Sequence, residues 1–179
     1  MFHFKAALIS SFVLIGACQS TTSLPPITTA EFVDLDRFSG DWHVIANIPT
    51  FIETQAYNAV ENYQKPVNGK IATTFTFNKG AFDGPRKVYR PTGFIKNNTG
   101  NAVWGMQFVW PIKAEYRIVY IDDDYQYTII GRTKRDYVWL MARQPVIPDA
   151  DYQKLSQIIE DEGYDLAKLR KVPQQANRQ

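Results

Sequence analysis

Between residues 41 and 143 the chain is cut into short runs of β-branched, aromatic and alternating residues, with a turn-forming cluster roughly every ten positions. That spacing excludes most architectures. A parallel sheet needs a crossover of a dozen or more residues, and no connection here reaches that length, so successive strands must run antiparallel. Eight candidate strands lie at residues 41–47, 59–64, 70–78, 86–95, 102–110, 114–121, 125–132 and 137–143. Connectors such as Asn97-Asn98-Thr99-Gly100 and Asp122-Asp123-Asp124 suit tight turns. After the last strand, Ile147-Pro148-Asp149 opens a helix, Tyr152, Leu155, Ile158 and Ile159 keep helical spacing, and Gly163 stops it. The expected class is all-β: an eight-stranded antiparallel up-and-down β-barrel with a C-terminal α-helix packed outside. Closure removes exposed edges and encloses either packed side chains or one small ligand. The longest connection, residues 48–58, forms the mouth loop.

Charge and length narrow the function. Twenty Lys and Arg against 18 Asp and Glu leave a net charge of +2, and no run of five basic residues exists to track phosphates, so nucleic acid is excluded as the expected partner. A chain of 179 residues buries enough surface to fold as one domain, here residues 31–179, without a metal or disulfide staple.

The first 17 residues read as an address. Residues 6–16 are largely apolar but too short to cross a ~30 Å hydrocarbon core, which fits a signal-peptide core. Ile15-Gly16-Ala17-Cys18 resembles the lipobox of bacterial lipoprotein precursors. The resemblance implies cleavage before Cys18, a lipid on its sulfur and, from Gln19 beside it, sorting to the outer membrane. An ordinary signal peptide cut near Ala17 is the alternative. Residues 18–30, rich in Ser, Thr and Pro, read as a lipidated tether. The mature chain then keeps one histidine, His43, and no free thiol. Zinc sites of Cys and His, Cys-His nucleophiles and thiol redox chemistry all lack parts, and no metal, cofactor or catalytic residue is expected.

Alternation assigns the inner face. Trp104, Met106, Phe108 and Trp110 share one side of the fifth strand, as do Ile71, Thr73, Phe75 and Phe77 in the third and Tyr116, Ile118 and Tyr120 in the sixth. Glu61 and Tyr63 share a face of the second strand. These residues wall either a solid core or an apolar cavity, and periodicity does not choose between them.

Asp36-Arg37-Phe38-Ser39-Gly40-Asp41-Trp42 resembles the first signature of the lipocalins, a Gly-x-Trp leading into the first barrel strand. Residues 116–122 (YRIVYID), 125–130 (YQYTII), 135–139 (RDYVW), Arg143-Gln144-Pro145 and Glu162-Gly163-Tyr164-Asp165 resemble, in order and spacing, later signatures of bacterial lipoprotein lipocalins. The resemblance implies that Trp42 plugs the closed end, Arg143 lies over its ring and Gly40 completes the signature. It further implies reversible binding, storage or transport of a hydrophobic ligand, lysophospholipid or fatty acid, by a domain anchored to the outer membrane and facing the periplasm. Burying ~14 methylenes at ~0.8 kcal/mol each sets an upper limit near 11 kcal/mol, which association costs lower toward micromolar affinity. Arg90 and Arg117 are candidates for the lipid head group, with an outer solvated face as the alternative. Two other readings stay open. An enzyme on this barrel would need an acid and base from Glu61, Tyr63, Tyr116 and Tyr120, and a filled barrel would be a structural lipoprotein with a cavity below ~300 Å³. A homodimer is possible, though no segment announces its interface.

Overall fold

The computed structural model describes residues 24–176. Residues 1–23, which include the expected signal segment and Cys18, lie outside the described residues. After a one-turn helix α1 (Leu35–Phe38), the strands are β1 (Gly40–Ile48), β2 (Ala56–Tyr63), β3 (Lys70–Lys79), β4 (Arg86–Tyr89), β5 (Thr92–Ile95), β6 (Val103–Val109), β7 (Ile112–Ile121), β8 (Tyr127–Gly131) and β9 (Val138–Ala142). Helix α2 (Asp149–Asp161), a 3-10 turn (Leu166–Lys168) and a two-residue strand β10 (Arg170–Lys171) complete the chain.

Every neighbouring pair is antiparallel, and β1 pairs with β9 through registers such as His43 with Ala142 and Ile48 with Val138. That pairing closes the sheet into an eight-stranded barrel. β4 and β5 together are its fourth strand, both pairing with β3. The single strand expected at residues 86–95 is broken at Arg90-Pro91, because Pro91 has no N–H to donate to the ladder. β10 adds to the side of β1, at Ala46 and Asn47.

The loops after β1, β3, β6 and β8 lie at one end of the barrel, and those after β2, β5 and β7 at the other, which α1 closes. Gly40 has φ +100°, a conformation open to glycine and costly for other residues, and it turns the chain from α1 into β1. Phe38, Trp42, Tyr63 and Trp104 then meet inside this closed end, Phe38 5.2 Å from Trp42 and 5.5 Å from Trp104 between ring centroids. The Trp42 indole donates to the Phe38 carbonyl at 2.8 Å. Arg143 lies 3.8 Å over the Trp42 ring and donates to the carbonyls of Asp41, Arg37, Phe38 and Tyr125. One planar guanidinium thus ties β9 to α1, β1 and the β7–β8 turn. In that turn the Asp122 carboxylate accepts from the backbone N–H groups of Gln126 and Tyr127, acting as a cap.

A second apolar cluster sits outside the barrel. Leu155 and Ile159, one turn apart on α2, are buried with Ile45, Ile129 and Leu140 from the outer faces of β1, β8 and β9. Residues 24–30, the described part of the expected 18–30 tether, lie along the barrel as a strap. Ile27 is buried in the outer cluster, Ala30 N–H donates to the Ile118 carbonyl, and Thr28 N–H donates to the Glu162 carboxylate. A polar, Pro-rich composition hides this docking, because backbone groups and single side chains such as Ile27 supply it.

Loss of Arg143 leaves several carbonyls and the Trp42 face without their partner. Arg143→Ala should lower the unfolding free energy by roughly 2–4 kcal/mol in urea titration, with Arg143→Lys restoring less than half, since an ammonium lacks the planar fork. A Lys variant as stable as the parent would contradict this role.

Candidate functional site

The barrel is filled from the closed end to about its middle and hollow above. Trp104 stacks on Tyr116 at 5.0 Å with 9° between ring planes, and Tyr63 packs edge-on to both. These rings form a floor. Above it opens a cavity of about 420 Å³, lined by apolar side chains that include Phe75, Tyr89, Met106, Ala114 and Tyr116 and rimmed by Phe51, Ile52, Phe108, Val109 and Ile112. This volume lies within the range of small-molecule sites and above the ~300 Å³ limit set for a filled barrel.

Polar groups are few and placed at different depths. Glu61 reaches the floor from β2, where it accepts a hydrogen bond from the Tyr63 hydroxyl, which in turn shares one with Tyr116 at 2.5 Å. Burial raises the Glu61 carboxyl to about 7, the Tyr63 hydrogen bond opposing and the nearby Glu53 adding to the rise. Burial pushes both phenols well above their ordinary value, with the Glu61 charge contributing. On β3, opposite Tyr63, the Thr73 hydroxyl is buried with no partner among the described residues. Glu53, in the mouth loop, is buried and holds that loop down: it accepts from Thr50 N–H and hydroxyl and from the Trp139 indole. Burial raises its carboxyl, these hydrogen bonds opposing. Exposed Arg90 stands at mid-wall, at the β4–β5 break beside Tyr89, while Arg132 pairs with Asp136 at 3.4 Å.

The expected wall residues therefore divide. Glu61, Phe75, Met106, Phe108 and Tyr116 line the cavity. Tyr63, Phe77, Trp104 and Ile118 are buried in the inner core, below or behind the lining. Two expectations need correcting. Trp110 is 82% exposed, because β6 ends at Val109 and Pro111 cannot continue the ladder. Tyr120 packs against the outer cluster, because a bulge between Ile118 and Tyr120 shifts the register and breaks the alternation that put it inside. Arg117 also points away from the cavity, donating to Glu115 and to Thr29 of the strap. Sequence reasoning missed Phe51, Glu53, Tyr89, Arg132, Tyr137 and Trp139, which reach the site from loops or strand ends. Of these, Tyr89 falls in the fourth expected strand, stacked beside Phe75 and Phe77, Arg132 ends the seventh, and Tyr137 and Trp139 share a face of the eighth, whereas Phe51 and Glu53 fall in no expected strand.

Comparison with known proteins agrees with this architecture. A family profile described as a lipocalin-like domain matches residues 33–174. The chain is 28% identical over 150 residues to temperature-induced lipocalin-1 of Arabidopsis thaliana, covering 79% of this chain and 80% of the plant protein. It is 26% identical over 171 residues to outer membrane lipoprotein Blc of Citrobacter freundii, covering 94% of each. Among solved structures it resembles insecticyanin from the tobacco hornworm Manduca sexta, with a TM-score of 0.65 and 16% identity over 84% of this chain and 85% of that one.

The buried acid at the floor sets a pH dependence. A carboxyl at about 7 when folded, against 4.5 in the open chain, contributes stability that is complete below pH 4.5 and is lost as pH rises to 7. Glu61→Gln removes this loss, so the variant should gain on the parent by about 2–3 kcal/mol between pH 4 and pH 8 in chemical denaturation. A stability difference that stays constant with pH would contradict the burial of that carboxyl.

Proposed function

The chain belongs to the lipocalin-like domain family, and on that premise we propose that it binds a single-chain amphipathic lipid, a lysophospholipid or fatty acid, holding it for storage or transport in maintenance of the cell envelope. One observation carries the reading: an apolar cavity of about 420 Å³ above a packed aromatic floor, open at one end of the barrel. The acyl chain lies along Phe75, Met106 and Tyr116, and its head group stays at the open rim in contact with water. Burial of methylenes at ~0.8 kcal/mol each supplies the affinity, and no catalytic group takes part.

Cys18 is the proposed anchor. The match to an outer membrane lipoprotein over nearly the whole chain supports lipidation there, and in this proposal the domain faces the periplasm. Among the described residues no helix is long and apolar enough to cross a membrane.

The ligand is tested by native mass spectrometry of gently extracted protein, which should show co-purifying single-chain lipid. Preparations that are lipid-free and bind no lysophospholipid or fatty acid would overturn the reading. Ala114→Phe, which fills the cavity from β7, should weaken binding of a fluorescent fatty acid about tenfold or more with the circular dichroism unchanged. Cys18→Ala should move the protein from the membrane to the soluble fraction, and retention at the membrane would contradict the anchor.

A further inference from the structure

The open end of the barrel is greasier than a soluble surface requires. Phe51 is 87% exposed in the mouth loop, and Val109, Trp110 and Ile112, around the β6–β7 turn, are 68%, 82% and 70% exposed. Phe51, Val109 and Ile112 rim the same cavity, so these residues form one patch and not scattered exceptions. Contiguous exposed apolar surface of this kind marks an interaction site, and a tryptophan with one apolar and one polar edge suits a membrane–water boundary.

Exposed cations stand beside this patch: Arg86 and Lys87 at the mouth end of the fourth barrel strand and Lys134 in the β8–β9 loop. Asp83 and Asp136 share these loops, and Lys65, Lys70 and Lys96 stand at the closed end, so the attraction to an anionic surface is local to those three cations.

The strap fixes which side the N-terminal segment leaves from. Arg135, in the β8–β9 loop, donates to the Pro25 carbonyl at 2.7 Å, and Leu24 packs over Gly163 nearby. The chain therefore departs beside the open end. Cys18 precedes Leu24 by six residues, a reach of about 20 Å at full extension. A lipid on Cys18 would hold the mouth, not the closed end, next to its bilayer.

We propose that the mouth of the barrel docks face-on against an anionic bilayer, with Phe51, Val109, Trp110 and Ile112 among the acyl chains and Arg86, Lys87 and Lys134 against phosphates. The cavity then opens directly into the leaflet, and a lipid passes between membrane and barrel without crossing water. The strap argument rests on the lipid-anchor reading of Cys18; the patch and the cations beside it do not.

The test uses the protein as isolated from the envelope, reconstituted with vesicles of phosphatidylethanolamine and phosphatidylglycerol carrying brominated acyl chains. Trp42 and Trp104 are buried, while Trp139 is half-buried in the cavity wall, so the part of the bromine quenching that is lost in Trp110→Phe reports Trp110. Quenching is expected in the parent and should fall about threefold or more in Trp110→Phe. It should fall about twofold when phosphatidylcholine replaces the anionic lipid. Emission untouched by bromine but accessible to aqueous iodide would overturn the proposal. So would a stable dimer in sedimentation that Trp110→Ser disperses, with no bromine quenching, since that outcome gives the patch to a second copy of the chain. Phe51 and Trp110 are exposed, so circular dichroism of Phe51→Ser and Trp110→Ser should match the parent and keep the comparison readable. The mass of the N-terminal peptide reports the Cys18 lipid, and fatty-acid titration reports cavity binding, each independently of the quenching.

Discussion

A short antiparallel sheet that closes on itself must decide how far its interior is filled, and here a stack of rings makes that decision. Phe38 from α1, Trp42 from β1, Tyr63 from β2 and Trp104 from β6 meet at the closed end, and Tyr116 lies flat on Trp104 as the uppermost layer. Arg143 covers the underside of Trp42 while its donors bind four surrounding carbonyls. Filling stops at Tyr116. Above it the facing side chains are Ala114, Met106 and Phe75, which leave a void they do not span.

The placement of Glu61 follows from the same geometry. A carboxyl on the floor of an apolar cavity loses water, and only the Tyr63 hydroxyl returns a hydrogen bond, so the acid is held near neutrality in its titration. This group and the partnerless Thr73 hydroxyl give a mostly apolar cavity two polar points. Glu53 uses burial differently. Its carboxylate is satisfied by Thr50 and Trp139, and its role is to seat the mouth loop.

Period-two alternation and turn chemistry made the barrel legible in the sequence, including its strand count, its closing partners and the outer helix. The residues that share a face over an unbroken run, Ile71, Thr73, Phe75 and Phe77, turn inward together as alternation requires. Alternation failed where the backbone broke it. The bulge after Ile118 moved Tyr120 to the outer cluster, and Pro111 ended β6 before Trp110 could join the wall. Depth was not legible, because Trp104 and Met106 have the same parity and differ only in how close each stands to the closed end. The mouth-loop residues Phe51 and Glu53 were invisible for another reason: loops carry no period.

The central claim is that the space above Tyr116 takes an acyl chain. Nuclear Overhauser contacts between a bound, isotope-labelled fatty acid and the Met106 methyl group measure this directly, since Met106 lines the cavity whereas Met141 is fully buried in the core. Chain methylenes in contact with Met106 and the rings of Phe75 and Tyr116 are the predicted result. Saturating lipid that contacts only the outer faces of the strands, with Met106 unperturbed, would contradict it.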